Sequence, residues 1–245
     1  MTAVSDRDVQ DSIIRYLSDS QVRSEPSHAF LDTEEAHRAH RFSRFLVRRY
    51  YRDRLTRGFH YSAALVGKRQ SAELIADSAE FDPVLDRCVL GSLTSSKEVG
   101  DLAVSRLLPL RSEVWWSELL EYERAFFLQL ATSEATPAGT APKKNTSAMI
   151  REFHVHIPEL LVSLRRGNDV AHLSDKGVTL LFSRTMHGKI YVVEPDEKSS
   201  SIFRSVDGKN CGQKIALAAG VPQEEIQRIL TTLSDIGSVV LPIGS

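Results

Sequence analysis

Eight arginines crowd the stretch from Arg38 to Arg57 (Arg38, Arg41, Arg44, Arg48, Arg49, Arg52, Arg54 and Arg57), against the single acid Asp53. Guanidinium forks match carboxylates and phosphates, so this run could attract an acidic peptide or an acidic partner surface. Arg41, Arg44, Arg48, Arg49 and Arg52 are the candidate docking residues. The competing reading is a helix face whose arginines pair with acids elsewhere in the same half, and both stay open at this point. His154 and His156 in Phe153-His154-Val155-His156-Ile157 would share one side of a strand. Two imidazoles can bind a metal, but a functional site wants a third ligand, and no neighbouring motif supplies one, so no metal is expected in this chain. Glu121 and Glu123 could be paired carboxylates for acid-base work, or simply helix surface with one acid facing an internal arginine. A nucleophilic triad, a phosphate-cradling glycine loop and a dinucleotide fingerprint are all missing. The chain is therefore expected to be no enzyme by itself and to carry no cofactor.

What must position these groups is a chain of 245 residues, 42% hydrophobic, with net charge −1. That is enough apolar material for one large or two modest domains. Near-neutrality argues against a protein that coats nucleic acid or an anionic membrane. Cys88 and Cys211 lie far apart in apolar helical surroundings, reading as two reduced core thiols and a cytoplasmic location. Asp6, Arg7, Asp8 and Asp11 stand where a signal peptide would be apolar, and no run approaches eighteen apolar residues, so neither export nor a membrane span is expected.

Residues 134–147 hold almost no large apolar side chain and read as an unpacked linker. Before it, 1–133 looks wholly helical. Helices are expected over Asp6 to Ser18, from Asp32 to about Thr56 with Phe42, Phe45, Leu46 and Tyr50 on one face, and over Ser71 to Ala79. Further helices are expected over Pro83 to Leu90, Ser95 to Leu108 and Glu113 to Ala131. The last carries Trp115, Trp116, Tyr122, Phe126 and Phe127 and should be central. Each large apolar side chain it buries is worth roughly 1.5–3 kcal/mol.

After the linker, 148–245 changes character. Val178 to Arg184 and Lys189 to Glu194 are rich in β-branched and aromatic residues and should form a hairpin across Met186-His187-Gly188. Ser199-Ser200-Ser201 offers a cap for a short helix bearing Ile202, Phe203 and Val206, which Asp207-Gly208 ends. A second helix runs from Cys211 to Ala219, with Gly220 placed for a left-handed C-cap. Pro222 opens a third, where Ile226, Ile229, Leu230 and Leu233 recur at helical spacing, and Ser238 to Leu241 is a final strand. The expected class is α+β: an all-α N-terminal domain followed by a winged-helix-like domain. A winged helix raises DNA binding by a transcriptional regulator as the alternative. However, the third helix sets Glu224, Glu225 and Asp235 against Arg228 alone, a charge that a duplex repels. An edge strand beside an apolar helix suits an extended peptide better.

The stretch from Val178 to Leu241, with its hairpin, Asp207-Gly208 and the Ile226-to-Leu233 helix, resembles the PqqD-like precursor-peptide recognition elements of ribosomally made peptide natural products. That resemblance implies a leader peptide lying between an edge strand and the last helix, which implicates Ile190, Tyr191, Val192, Val193, Ile226, Ile229, Leu230 and Leu233. Phe42-Ser43-Arg44-Phe45-Leu46-Val47-Arg48-Arg49-Tyr50-Tyr51 and Trp115-Trp116-Ser117-Glu118-Leu119-Leu120-Glu121 are similar to the helical domain of partner subunits that accompany multinuclear-iron TIM-barrel peptide oxidases. The combination looks most like the partner proteins of thiaglutamate-type, cysteine-modifying pathways. What it implies is a non-catalytic adaptor, with iron held by the oxidase and a precursor peptide as guest. The same helical family has carried a DNA-binding label, which would have to reside in the Arg-rich helix.

Overall fold

A computed structural model of the chain describes residues 33–242 apart from 86, 134–135, 168–169 and 171–175. The helix expected over Asp6 to Ser18 lies outside the described residues. Helix α1 (Thr33–Gly58) bears the arginines, and α2 (His60–Val66) follows it at once. Short 3-10 turns over Ala72–Asp77 and Ala79–Phe81 lead into α3 (Asp82–Leu85), then α4 (Leu93–Leu107) and α5 (Val114–Ala131). Where helices were expected over Ser71 to Ala79 and Pro83 to Leu90, only these tighter turns and one α-turn form. Ser71 and Ser78 sit in extended backbone and interrupt the path.

The buried stripe of α1 is Val47, Tyr51 and Leu55, continued by Phe59, and not the face carrying Phe42, Phe45, Leu46 and Tyr50. A four-residue spacing keeps Val47, Tyr51 and Leu55 over the rings of Phe81 and Phe127, which Tyr51 meets at 5.9 and 6.4 Å. Phe42 and Phe45 are exposed. In α5 the expectation holds: Trp116, Leu119, Leu120, Phe127 and Leu128 are fully buried, and the indole N–H of Trp116 donates to the Leu107 carbonyl at 3.1 Å.

Strand β1 (Lys143–Lys144) lies inside the stretch expected to stay unpacked, and it pairs antiparallel with β5 (Val239–Val240). The linker reading fails here because hydrogen bonds, not side-chain volume, order the segment. The Asn145 side-chain amide donates to the carbonyls of Arg184 and Gly237 at 3.1 and 2.9 Å, and the Asn145 main-chain N–H donates to Ser238 at 2.9 Å. Thr136 Oγ1 accepts from the Thr146 N–H at 2.7 Å.

A second antiparallel sheet has the order β2 (Met149–Phe153), β3 (Val178–Arg184), β4 (Ile190–Val193). Leu181 faces Val193 and Arg184 faces Ile190, which is the expected hairpin. Between β2 and β3 comes α6 (Ile157–Arg166), which the sequence reading missed. After the hairpin stand α7 (Glu197–Ser205), α8 (Gly212–Ala219) and α9 (Gln223–Asp235). The cap of α7 is Asp196, whose carboxylate accepts the Ser199 N–H at 2.7 Å; Ser199 to Ser201 lie within the helix instead. Gly220 ends α8 in the left-handed region, φ 66°, as expected.

Alternation along β3 splits the core in two. Val178, Leu180 and Phe182 join Phe153 in the core built by the N-terminal helices, with Tyr122 of α5 5.6 Å from the Phe182 ring. Leu181 points the other way, into a second core with Ile202, Phe203, Val206, Ile215 and the apolar face of α9. The sheet is thus covered on both faces, and the apolar core of the N-terminal helices continues onto it past residues 134–147. The architecture is mixed α+β, mostly helical first, with small antiparallel sheets later. No described helix is long and apolar enough to cross a membrane.

Candidate functional site

A sheet covered on both faces can receive a guest strand only along an outer edge; its edge strands are β2 and β4, and β4 is the one expected to take a guest. On its inner side it pairs with β3; on its outer side no strand pairs with it among the described residues. The turn closes when the Thr185 N–H donates to the Lys189 carbonyl at 2.9 Å. Alternation from that pair leaves the main-chain groups of Ile190 and Val192 directed outward, while those of Tyr191 and Val193 serve the ladder. All four β4 side chains are half-buried: Val192 leans on the N-terminal core and Val193 on the C-terminal one. Lys189 lies over the Tyr191 ring, 4.7 Å from its centre.

The other half of the expected groove is different. Ile226, Ile229, Leu230 and Leu233 are all buried and form the inner wall of the C-terminal core against α7 and α8. The 3-4-7 spacing correctly marks a buried face, but the chain itself fills it, because three short amphipathic helices must share one core before any guest arrives. These four side chains hold the module together and offer no open trough. The exposed face of α9 presents Glu224, Gln227, Arg228, Thr231, Thr232 and Asp235.

Half of the eight arginines of α1 reach partners elsewhere in their own half. Arg44 and Arg48 both reach Asp82 at 2.6 Å, and Arg48 also donates to the Ala76 carbonyl. Arg52 pairs with Asp77, and Arg54 stacks on the Tyr50 ring, 3.3 Å from its centre, while donating to the Leu130 carbonyl at 3.2 Å. Of the proposed docking set Arg41, Arg49 and Arg52 are exposed, Arg52 beside Asp77, while Arg44 and Arg48 are half-buried on Asp82.

His154 and His156 do not share a strand face, because β2 stops at Phe153. His154 meets Glu118 at 3.2 Å, and His156 caps α6 by accepting the Glu159 N–H at 3.3 Å. Pro158 in the first turn and Gly167 at the end, φ 66°, complete the start and stop signals of that helix; read together, they were the missed clue. Glu121 pairs with Arg124 at 3.1 Å. Glu123 is buried, 1% exposed, and its carboxyl accepts the N–H groups of Tyr61 and Ser62 at 2.5 and 3.1 Å. Burial pushes it up to about 8, and the hydrogen bonds from Ser62 and Tyr61 oppose the rise. It is therefore not helix surface, and Glu121 and Glu123 turn to different partners. Cys88 is buried as expected, but Cys211 is exposed at the start of α8, where the Lys214 and Gln213 main-chain N–H groups hold its thiol below the usual range.

A further feature had no sequence signal: a cleft of about 950 Å³ at the turn end of the hairpin, lined by Thr132, Asn145, Arg184, Met186, Asp235 and Leu241 among others. The Arg184 side chain enters it after its Nη1 has donated to the carbonyls of Gln129 and Thr132, at 3.2 and 2.5 Å. Together these elements define a mixed α+β protein with a doubly covered sheet, outer strands β2 and β4, and a cleft at the turn end of its hairpin. No protein family and no curated protein matches this chain.

Proposed function

We propose that this chain is a non-catalytic partner subunit. Its 148–245 portion would act as a winged-helix-like, PqqD-like module that binds the leader of a ribosomally made precursor peptide. Its 1–133 portion would dock on a multinuclear-iron oxidase in the cytoplasm, with 134–147 as the connection. The observation that carries this reading is the unpartnered outer edge of β4, framed by three strands followed by three helices. A leader strand would take main-chain hydrogen bonds from Ile190 and Val192 and lay alternate side chains beside Tyr191 and Val193. Ile226, Ile229, Leu230 and Leu233 support the strand from within instead of touching the guest. Exposed Arg41 and Arg49, with Arg52 shared with Asp77, would form the docking surface for an acidic partner. Tethering works through effective concentration, so even micromolar leader affinity, about −8 kcal/mol, would favour the correct substrate strongly.

DNA binding gains nothing from the exposed face of α9, where Glu224 and Asp235 stand against Arg228. The test is direct. A tagged full chain isolated from its native host should bring down an iron-loaded enzyme, and a labelled precursor peptide should bind with micromolar affinity. Val192→Pro, which removes an outward donor at an edge position that tolerates proline, should abolish that binding while the protein stays folded. Unchanged peptide affinity in this variant would exclude the β4 edge.

A further inference from the structure

Two half-buried arginines, Arg54 and Arg184, face no carboxylate among the described residues; Arg54 lies on the Tyr50 ring, whereas Arg184 borders a cleft. Arg44, Arg48, Arg52, Arg87, Arg106, Arg111, Arg124 and Arg204 each face a carboxylate. The Arg184 Nη1 is taken up by two carbonyls at the end of α5, which leaves Nε and Nη2, the edge of the guanidinium beside Gly188. Thr132, whose carbonyl takes one of those bonds, is buried and has a side-chain hydroxyl with no hydrogen-bond partner among the described residues. A buried hydroxyl without a partner is destabilising, and an acceptor brought to it would relieve that cost. Arg184 and Thr132 line the same cleft.

The geometry points to a carboxylate-binding site in this cleft, with Arg184 as its fork and Thr132 as the second donor. A planar carboxylate matches the parallel N–H bonds of a guanidinium edge. Asp235 lines the cleft too, so an incoming anion meets one like charge, a smaller penalty for a singly charged carboxylate than for a phosphate dianion. The rest of the lining mixes polar groups such as Thr136, Asn145 and His187 with apolar Met186, Val240 and Leu241, so a small body with both polar and apolar surface suits it. Met186, 94% exposed on the hairpin turn, stands at the mouth. The carboxylate could be the free end of a polypeptide or a small organic acid. The site does not depend on leader binding along β4.

The full-length protein, labelled with nitrogen-15, would be titrated with acetyl-Ala-Ala-Gly as free acid, with its C-terminal amide, and with sodium acetate, while the Arg184 Nε–H resonance is followed. Movement with the tripeptide acid alone assigns the site to a chain end; equal movement with acetate assigns it to small acids. Equal movement with the amide, stronger binding of inorganic phosphate, or no movement with any probe overturns the proposal. Because Arg184→Gln also releases the end of α5, the decisive variant is Thr132→Val. It should weaken the carboxylate about tenfold while the melting temperature holds or rises, since it removes an unsatisfied hydroxyl. Undiminished binding in a folded Thr132→Val protein would also overturn it.

Discussion

The Glu123 carboxyl accepts the Ser62 main-chain N–H at 3.1 Å in a place that solvent barely reaches, fastening α5 to the first turn of α2. Its folded pKa, about 8, stands above the ordinary value of 4.5, so between those values the folded state holds a proton that the unfolded chain has lost. The stabilisation is complete below about pH 4.5 and disappears as pH rises through about 8. Glu123→Gln keeps an acceptor for Ser62 and cannot ionise. Urea denaturation at pH 5 and pH 9 should show the native protein losing stability over that interval and the variant losing markedly less; parallel losses would refute the assignment.

Phe182 joins the two halves of the chain. It is fully buried and lies 5.6 Å from Tyr122 and 6.4 Å from Phe153, ring centre to ring centre. Phe182→Ala should cost about 3–5 kcal/mol. Because the core continues from the N-terminal helices onto the sheet, fluorescence of Trp115 and Trp116 should report the same unfolding midpoint as far-ultraviolet circular dichroism. Separate midpoints would mean that the halves melt independently.

Gly237 turns the chain from α9 into β5 at φ +76°, and a Cβ there would run into the Arg184 carbonyl. Gly67 has φ +78° with open space around it. Gly237→Ala should cost about 1–3 kcal/mol or more, and Gly67→Ala clearly less. The difference between their melting temperatures measures the close approach, separated from the backbone penalty common to both.

Asp196 caps α7 through the Ser199 N–H, and that bond is the main reason its carboxyl titrates below the ordinary 3.8. Its contribution is present above that value and fades as pH falls through the lower, folded one. Asp196→Ala should lower stability by about 1 kcal/mol at neutral pH and by little at strongly acid pH. Thermal denaturation at the two extremes reads this directly.

Local signals in the sequence located α1, α4, α5, the hairpin and α9, because each is long or strongly periodic. The stops at Gly220 and Gly237 were equally legible, since only glycine accepts that backbone freely. Side-chain destinations were less so. Ile226 to Leu233 read as a buried face, yet nothing local tells whether the chain or a guest covers it. Asn145 looked like linker because its role is two hydrogen bonds to segments distant in sequence. Glu123 looked like surface because α2, the short helix whose N-terminus it caps, has little pattern of its own. Arg184 gave no hint, since its partners are the carbonyls of Gln129 and Thr132, distant in sequence.

The doubly covered sheet has a consequence for anyone dissecting this protein. Cutting at residue 148 to express the C-terminal part alone would strip α5 from Leu180 and Phe182 and leave a greasy plane bare to water. Such a fragment should precipitate or dimerise through that plane, so truncation studies need the helical portion as a built-in solubiliser.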